Sequence, residues 1–578
     1  MDPRTAAYVL TQIAAHLDLR GEQRFKSRAY EQAARALLTL DTDDLGALDR
    51  AGTLADTRGL GPATLSVVRD LIASGESRYL EQLRTATPSG LLELLRVPGL
   101  GTAKIHTLHA ELGVDSLDSL EAAARDGRLA KMKGFGPKTS ARILKGIDFA
   151  RNSGARQLYP RAAEEARTLL AMVRGHPAVR RAEVAGSVRR HVETCGDVDI
   201  VAGTIGDPLP VAASFARAPG VREVARGDTT SPSITYVDGT RLDLTIVRLP
   251  DFPLALWRAT GTVEHVTAVS ARLGERGFVV RGDALLDERE NVVPLEEEAD
   301  LYAHAGLAYV PPEMREGRGE VELAERGVIP TLLELGDLRG VLHCHSAWSD
   351  GKATIAEMGE AARARGWSYL GITDHSQAAF YAGGLAPARV AAQHDEIDAL
   401  NAGYADFRIL KGVEADILAD GSLDYDAALL DRFDFVVGSV HSRFNMDRAT
   451  MTDRVLRALD DPHLTILGHP TGRLLLSRDA YAIDMDVVLA KAGANGVAVE
   501  LNADPHRLDL DWRLIPQARA AGALIEIGPD AHSPAGLDNV AIGVGMAHKA
   551  GLTRDAVLNA MPVADVLAFA QARRARTR

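Results

Sequence analysis

Two cysteines, Cys195 and Cys344, are the only thiols in 578 residues. So small a supply excludes a disulfide framework and suits a reducing, cytoplasmic setting. Aromatic residues are few, at 5%. No run of roughly 18 apolar residues is free of charge, which argues against a membrane span. The N-terminus, MDPRTAAYVLTQIAAHLDLR, lacks the basic-then-apolar order of a signal peptide and reads as an amphipathic helix. Lysine is scarce beside arginine, and Ala and Gly are abundant, a bias that a GC-rich genome alone can produce. A positive net charge is missing too. The value of −13 argues at first sight against a nucleic-acid partner.

The distribution of charge changes that reading. Residues 1–150 are nearly neutral, with 20 basic and 19 acidic side chains, whereas residues 330–578 hold 24 against 33. Carboxylates that ligate cations belong to such an excess, and bound ions would offset them. Acidity here is therefore weak evidence against a phosphate-bearing substrate. With 46% hydrophobic and 25% charged residues, the chain reads as globular. At ~150 residues per domain, its length predicts three or four domains.

Residues 1–150 read as helices joined by glycine turns. Three turns are alike: Arg58-Gly59-Leu60-Gly61-Pro62, Val97-Pro98-Gly99-Leu100-Gly101 and Lys133-Gly134-Phe135-Gly136-Pro137-Lys138. A Gly-apolar-Gly turn that opens a helix leaves backbone N–H groups free for a phosphate oxygen, helped by the helix dipole. A helix–turn–helix corner needs glycine for structural reasons as well. Three copies, with Lys104, Lys133 and Lys138 nearby, favour DNA-backbone binding through Gly59, Gly61, Gly99, Gly101, Lys104, Gly134, Gly136 and Lys138. The pattern resembles the helix-hairpin-helix motif.

Residues 151–325 change to an α+β pattern. A helical stretch, RAAEEARTLLAMVRGHP, precedes strand-like runs at 181–185, 198–202, 233–237 and 241–247, and Asp238-Gly239 signals a hairpin between the last two. Within this region lie Gly186-Ser187-Val188-Arg189-Arg190 and Gly196-Asp197-Val198-Asp199. Asp197 and Asp199, two apart on a strand, share one face. Side-by-side carboxylates repel unless a divalent cation joins them, and Asp243 on a neighbouring strand completes a set for two Mg²⁺ or Mn²⁺ ions and in-line phosphoryl transfer. Gly186, Gly196 and Ser187 offer close approach and a hydroxyl to a nucleotide, and Arg190 a phosphate clamp. Asp-x-Asp alone is as well read as a solvated strand face; the Gly-Ser-x-Arg-Arg lead favours nucleotide chemistry. Residues 326–340 read as a linker, part of a turn-rich connector spanning 311–340.

From 341 to 578 short apolar strands alternate with helices, and nearly every strand ends in a chargeable residue. That predicts a β/α barrel presenting ligands at one rim. The rim residues are His343, His345, Asp350, His375, Glu414, His441, His469, Asp530 and His532. Any one histidine could be a hydrogen-bonded core residue. Six of them with three carboxylates at successive strand ends point to Zn²⁺ or Mn²⁺. Cys344, between two of them, is expected to turn away into the core. Arg443, Arg473, Asn502 and Arg507 also follow strand ends and are candidates for the nucleic-acid backbone, Arg473 foremost.

These motifs together resemble the bacterial family X DNA polymerases that carry a C-terminal polymerase and histidinol phosphatase (PHP) domain. Gly-Ser-Val-Arg-Arg, Gly-Asp-Val-Asp and Asp243 match the nucleotidyltransferase palm, Thr260-Gly261 and Pro311-Pro312-Glu313-Met314-Arg315-Glu316-Gly317 match the bacterial branch, and the nine rim residues match the PHP ligand pattern. The resemblance implies a multidomain protein: a helix-hairpin-helix domain, an α+β palm and thumb, and a distorted β/α barrel. It implies gap-filling synthesis with dNTPs, with Asp197, Asp199 and Asp243 as catalytic residues, and 3′–5′ exonuclease action on gapped or nicked DNA and 3′ ends. It also implies a trinuclear rim. His343, His345, Glu414 and Asp530 would hold one ion, Glu414 with His441 and His469 a second, and Asp350, His375 and His532 a third. A cytoplasmic, nucleoid-associated monomer with no membrane partner is expected.

The chain departs from the family in places. Arg258-Ala259 stands where the family has Tyr-Phe beside the nucleotide sugar, Val266 where it has a base-contacting Asn, and Val280-Arg281-Gly282-Asp283-Ala284-Leu285 replaces Leu-Asn-Glu-Tyr-Gly-Leu. These departures predict modest, Mn²⁺-favoured synthesis with poor rejection of ribonucleotides. Residues 62–70, PATLSVVRD, lack the lysine that a Schiff-base lyase requires, so that activity is expected to be absent or supplied elsewhere. Two rival readings stay open. One is a small-molecule phosphatase; the other is a DNA-end-binding protein with a degenerate polymerase.

Overall fold

Apolar residues at helical spacing dominate the N-terminal region, and helices form there in the computed structural model. It describes residues 1, 3–20, 24–38, 40, 42, 44–75, 77–85, 87, 91, 94, 97, 100–132, 134–152, 156–218, 220–227, 229–236 and 239–575. Helix Pro3–Leu19 buries Ala6, Leu10, Ile13 and Leu17 against Ala33, Leu37, Val68 and Leu71. A second cluster gathers Leu94, Ile105, Leu108, Leu120, Phe135 and Ile147. Each fully buried side chain of this size contributes ~1.5–3 kcal/mol.

The glycine turns open helices as the pattern predicts. Gly61 and Gly101 are the N-caps of Pro62–Ser74 and Thr102–Leu112, and Gly136 precedes Pro137–Asn152. Gly59 and Gly134 adopt φ of 105° and 88°, where a Cβ would be strained. Pro98, Gly99 and Lys133 lie outside the described residues, as does the side chain of Lys138.

The chain divides into two compact units: residues 1–156, 171–182 and 196–249, and residues 157–170, 183–195 and 250–578. The first holds most of a five-stranded sheet with strands β1 (Val179–Val184), β2 (Val198–Thr204), β3 (Val221–Ala225), β4 (Ser233–Tyr236) and β5 (Arg241–Arg248), in the order β1-β2-β5-β4-β3. β2 and β5 are parallel, and β4 runs antiparallel to β5. Of the hairpin signal, Asp238 lies outside the described residues; Gly239 has φ 89° between the strands it was expected to join.

The second unit is built on seven parallel strands in chain order: β6 (Gly340–Val341), β7 (Tyr369–Ile372), β8 (Arg408–Asp416), β9 (Phe435–Ser439), β10 (Ile466–Leu467), β11 (Ala498–Glu500) and β12 (Ile525–Glu526). Cys344, past the end of β6, bridges Ala531, past the end of β12. The His345 N–H donates to the Ala531 carbonyl at 2.9 Å. The sheet therefore closes on itself at its ligand-bearing end, a distorted β/α barrel. Successive residues of the strands alternate between two clusters, as the two-residue period of a strand requires. Leu342, Tyr369, Leu410, Phe435, Val437 and Ile466 fill one face with Val566 and Ala570 of the C-terminal helix. Val341, Leu370, Ile409, Val436 and Leu467 pack with the helices on the other.

The turn-rich connector is more ordered than its sequence suggests. It contains a short helix, Glu320–Glu325, whose first residue accepts hydrogen bonds from His265 (2.6 Å) and from the backbone of Gly317 and Arg318.

Candidate active sites

In the sheet of the first unit, Asp199 on β2 and Asp243 on β5 are direct partners across the parallel pair. Asp197 is not on the strand, as its alternation suggested, but in the bend just before it, where Gly196 turns the chain. It remains electrostatically close to Asp243. Burial first, then Asp243, pushes its carboxyl above the usual range against the pull of Arg241 and Arg156. Arg241 lies 3.8 Å from Asp197 and Arg226 3.8 Å from Asp243, while Ser233 donates its hydroxyl to Asp243. A buried carboxylate raised by a neighbouring one in this way suits a site for divalent cations.

In the second unit Gly186–Arg189 forms a single helical turn, with Gly186 at φ 56°. The buried Ser187 hydroxyl has no hydrogen-bond partner among the described residues, an orphan that a bound anion would satisfy. The structure gives Arg190 a different task from the free phosphate clamp expected of it. Its guanidinium donates to Glu316 at 3.1 Å and to the Thr260 carbonyl at 2.6 Å.

All nine expected residues converge on the barrel rim. The ligand atoms of His345, Asp350, His375 and His532 lie within 4.8 Å of one another, as do those of His343, His345 and Asp530, and those of His375, Glu414 and His441. His469 Nε2 lies 2.9 Å from Glu414 Oε1. Two of these residues hold uncommon backbone conformations, His469 at φ 22° and Asp530 at φ 48°, a strain often found where side chains are aimed at a ligand. The electrostatics are those of a site built around cations. Burial would depress the histidine pKa values, but Glu414 and Asp350 outweigh it at His375, pushed up to about 10, and Glu414 and Asp416 at His441, pushed up to about 9. Burial prevails at His345, pushed down to about 4. Glu414 is held well below the carboxylate range despite its burial by His441, His375 and His343.

The donor set fits divalent metal. His343 Nε2, both ring nitrogens of His345 and His469 Nδ1 are buried without a well-formed hydrogen bond. Imidazole nitrogens facing carboxylates in a water-poor pocket are the ligands of Zn²⁺ and Mn²⁺.

Several supporting residues were not singled out from the sequence. Glu500 faces His343 Nδ1 at 2.5 Å and accepts from the His469 backbone N–H at 2.5 Å. Asp416 faces His441 Nδ1 at 2.7 Å. Asp374 ties the 345–350 turn through Ser346 and Gln393. Glu526, buried beside Glu500, has its carboxyl pushed well up by burial and by that neighbour. Their signal was a carboxylate inside an apolar strand run, as in Val497-Ala498-Val499-Glu500, or two residues from a ligand on one strand face, as Asp416 from Glu414.

The arginine candidates separate. Arg473 donates to Asp511 at 2.6 Å and to the carbonyls of Arg507 (3.0 Å) and Leu508, so it braces the protein rather than facing a backbone phosphate. Asn502 is fully buried and donates to Asp530 at 3.1 Å. Arg507 lies 3.3 Å from the same Asp530. Arg443 is exposed at φ 55°. Cys344 is buried in the cluster under the helices, turned from the ligands as expected.

Comparison with known proteins matches three family models: the PHP domain over residues 342–504, a SAM-like helix-hairpin-helix tandem over 91–148, and the DNA polymerase beta thumb over 255–316. The tandem covers the second and third glycine turns and not the first. The chain is 38% identical over 564 residues to the DNA polymerase/3′-5′ exonuclease PolX of Bacillus subtilis (strain 168), covering 97% of this chain and 98% of that protein. Over 38% of the chain it is 27% identical to a probable phosphatase of Thermoanaerobacter sp. (strain X514) and 26% identical to one of Syntrophotalea carbinolica, covering 88% and 90% of those proteins.

Proposed function

The chain belongs to the bacterial family X DNA polymerases with a C-terminal PHP domain, and we propose that it is a repair enzyme joining gap-filling DNA synthesis to 3′–5′ exonucleolytic trimming. One observation carries the pairing: a rim of clustered histidines and carboxylates and an aspartate pair occur in one chain, each on its own sheet. The domains of this reading are a DNA-binding helical region over 1–150, palm and thumb over 151–325, a linker over 326–340 and the phosphoesterase over 341–578.

Asp197, Asp199 and Asp243 would hold Mg²⁺ or Mn²⁺, and the nine rim residues would hold Zn²⁺ or Mn²⁺, as three ions. When bound, such ions supply Lewis acidity to phosphoryl oxygens and lower the pKa of water. The protein supplies the rest. Ser187, whose hydroxyl has no hydrogen-bond partner among the described residues, and the backbone at Gly186 bind the triphosphate; Arg190 contributes by bracing that turn, and Gly196 offers close approach beside Asp197. At the rim, Glu500 and Asp416 fix the rings of His343 and His441, and Arg507 steadies Asp530 while adding positive charge beside the scissile phosphate. The glycine turns, with Lys104 and Lys138, hold the duplex backbone. The substrates are gapped or nicked DNA and dNTPs, and the enzyme acts as a monomer in the bacterial cytoplasm, on the nucleoid.

A gapped, 3′-labelled duplex incubated with Mn²⁺ tests this. Asp197→Ala with Asp199→Ala should abolish extension and keep trimming, and His343→Ala should do the reverse. Loss of both activities in either variant would refute separate sites. The resemblance of the C-terminal region to probable phosphatases favours a second reading for that region alone. Hydrolysis of free phosphate monoesters, with DNA left intact, would establish it.

A further inference from the structure

The loop that leaves ligand His375 returns to it. Ser376 bridges Leu385, and the Leu385 N–H donates to the His375 carbonyl at 2.9 Å. The same loop is tied to the other ligand-bearing turn. Arg389 donates to the carbonyls of Gly383 (3.1 Å) and Trp348 (2.5 Å), and a Cβ on Gly383 would lie 3.2 Å from the carbonyl oxygen of Ser349, the neighbour of ligand Asp350. The tip of this loop is the single turn Phe380–Ala382. It is held at the lip of the rim by its own ends.

Two aromatic rings stand on that tip. Phe380 is 84% exposed and Tyr381 62%, with ring centroids 5.9 Å apart. Among the described residues only Phe25 is a comparably exposed aromatic. The phenol of Tyr381 is pushed up to about 12, by burial of its hydroxyl end first and then by Asp416, Glu414 and Asp350, which puts it within electrostatic reach of the ligands. The two rings meet edge to face at 77° and stand largely in water, in a chain poor in aromatics. Beside a phosphodiester site, the partner with matching flat apolar faces is a nucleobase.

We propose that Phe380 and Tyr381 form a stacking platform for unpaired bases at the 3′ end of a strand entering the metal-ligand rim. The proposal rests on the exonuclease reading of that rim and names how it selects nucleic acid over free phosphate esters. Base–aromatic stacking tolerates any base, because every base has a π-face. It suits a trimming activity that must accept all four nucleotides.

The test uses the full chain with Mn²⁺ and single-stranded oligonucleotides ending either in natural nucleotides or in two abasic residues. For Phe380→Ala with Tyr381→Ala, KM on the natural end should rise about tenfold or more, with turnover at saturation and hydrolysis of bis(p-nitrophenyl) phosphate unchanged. On the abasic end, wild type and variant should be equally poor. Phe380→Trp with Tyr381→Phe should retain wild-type KM. Binding of the natural end without metal, read by fluorescence anisotropy, should weaken by the same factor. That readout separates the two ideas: wild type that binds the natural end through these rings but cannot cut it contradicts only the exonuclease reading. Equal KM and binding in variant and wild type would overturn the platform. So would a parallel loss on the small phosphodiester, or a dimer in wild type that the variant dissolves.

Discussion

Glu500 sits 2.5 Å from His343 Nδ1, which turns the other ring nitrogen of His343 toward Glu414 and Asp530. Because the same carboxylate also receives the His469 backbone N–H, one side chain orients two ligands. Removing such a support typically lowers metal affinity by 10–100-fold. Glu500→Ala should therefore bind Zn²⁺ or Mn²⁺ that much more weakly in calorimetry, while Glu500→Gln, which keeps an acceptor, should lose less. Equal affinity in all three proteins would show that His343 is oriented by something else. Arg258 makes a different argument at the same scale. It donates to the Gly282 carbonyl at 2.5 Å and pairs with Asp283, so two segments that depart from the family pattern hold each other. A polar tie thus stands where the family resemblance would place an aromatic wall beside the sugar. A pocket that does not oppose an added hydroxyl discriminates by no more than about 100-fold. Single-nucleotide insertion should show dNTP over rNTP preference below that figure with Mn²⁺; a strong dNTP preference with Mg²⁺ would count against it.

Elements were legible where one period governed them. The apolar strands from Tyr369 to Glu526 could be read because they are buried and all but Ala498–Glu500 carry or lead into a ligand. The helices at 62, 102 and 137 could be read because a glycine opens each. Closure of the barrel could not, since it depends on one bridge, Cys344 to Ala531, between residues remote in sequence. The rim ligands were readable one by one, whereas Glu500 and Glu526 look like ordinary strand residues until the strands are brought together. The connector was also opaque, because its order comes from distant partners. Arg315, fully buried within it, donates to Glu298 at 2.5 Å, and Arg189 grips the same carboxylate at 2.6 and 3.0 Å. Burial raises the Glu298 pKa, but the two guanidinium groups outweigh it and leave the carboxyl below its usual range. A depressed carboxylate pKa adds stability above the unfolded value, ~4.3, and that stability is lost as pH falls through the folded value. Glu298→Gln leaves buried cations unpaired and should cost about 3–5 kcal/mol at pH 7. In urea denaturation the gap between variant and wild type should narrow below pH ~4.3. A gap independent of pH would mean that lost packing, not lost charge, destabilises the variant.

At the scale of the second unit, the C-terminal barrel and the Gly-Ser-Val-Arg-Arg segment are not independent modules. Arg513 of the barrel donates to Glu193 at 2.8 Å, and Lys549 donates to the Arg190 carbonyl at 2.9 Å while pairing with Glu316. A Cβ on Gly545 would overlap the ring of His191. Trp512 lies under both cations, 4.7 Å from each, so their charge is held by a ring as well as by carboxylates. These contacts grip Arg190 to Glu193, the stretch by which the chain passes from Gly-Ser-Val-Arg-Arg into Gly196-Asp197. The barrel thus holds the end of the turn proposed to bind the triphosphate. Coupling between contacting charges of this kind is ~0.5–3 kcal/mol, so the effect on nucleotide use should be about tenfold. Arg513→Glu and Glu193→Arg should each raise KM for dNTP by that factor and leave trimming of single-stranded 3′ ends within about twofold. The double exchange, which restores the pair with its signs reversed, should recover most of the loss. Normal dNTP kinetics in both single variants would show that synthesis is indifferent to the clamp, and an equal fall in both activities would show that the pair merely holds the fold.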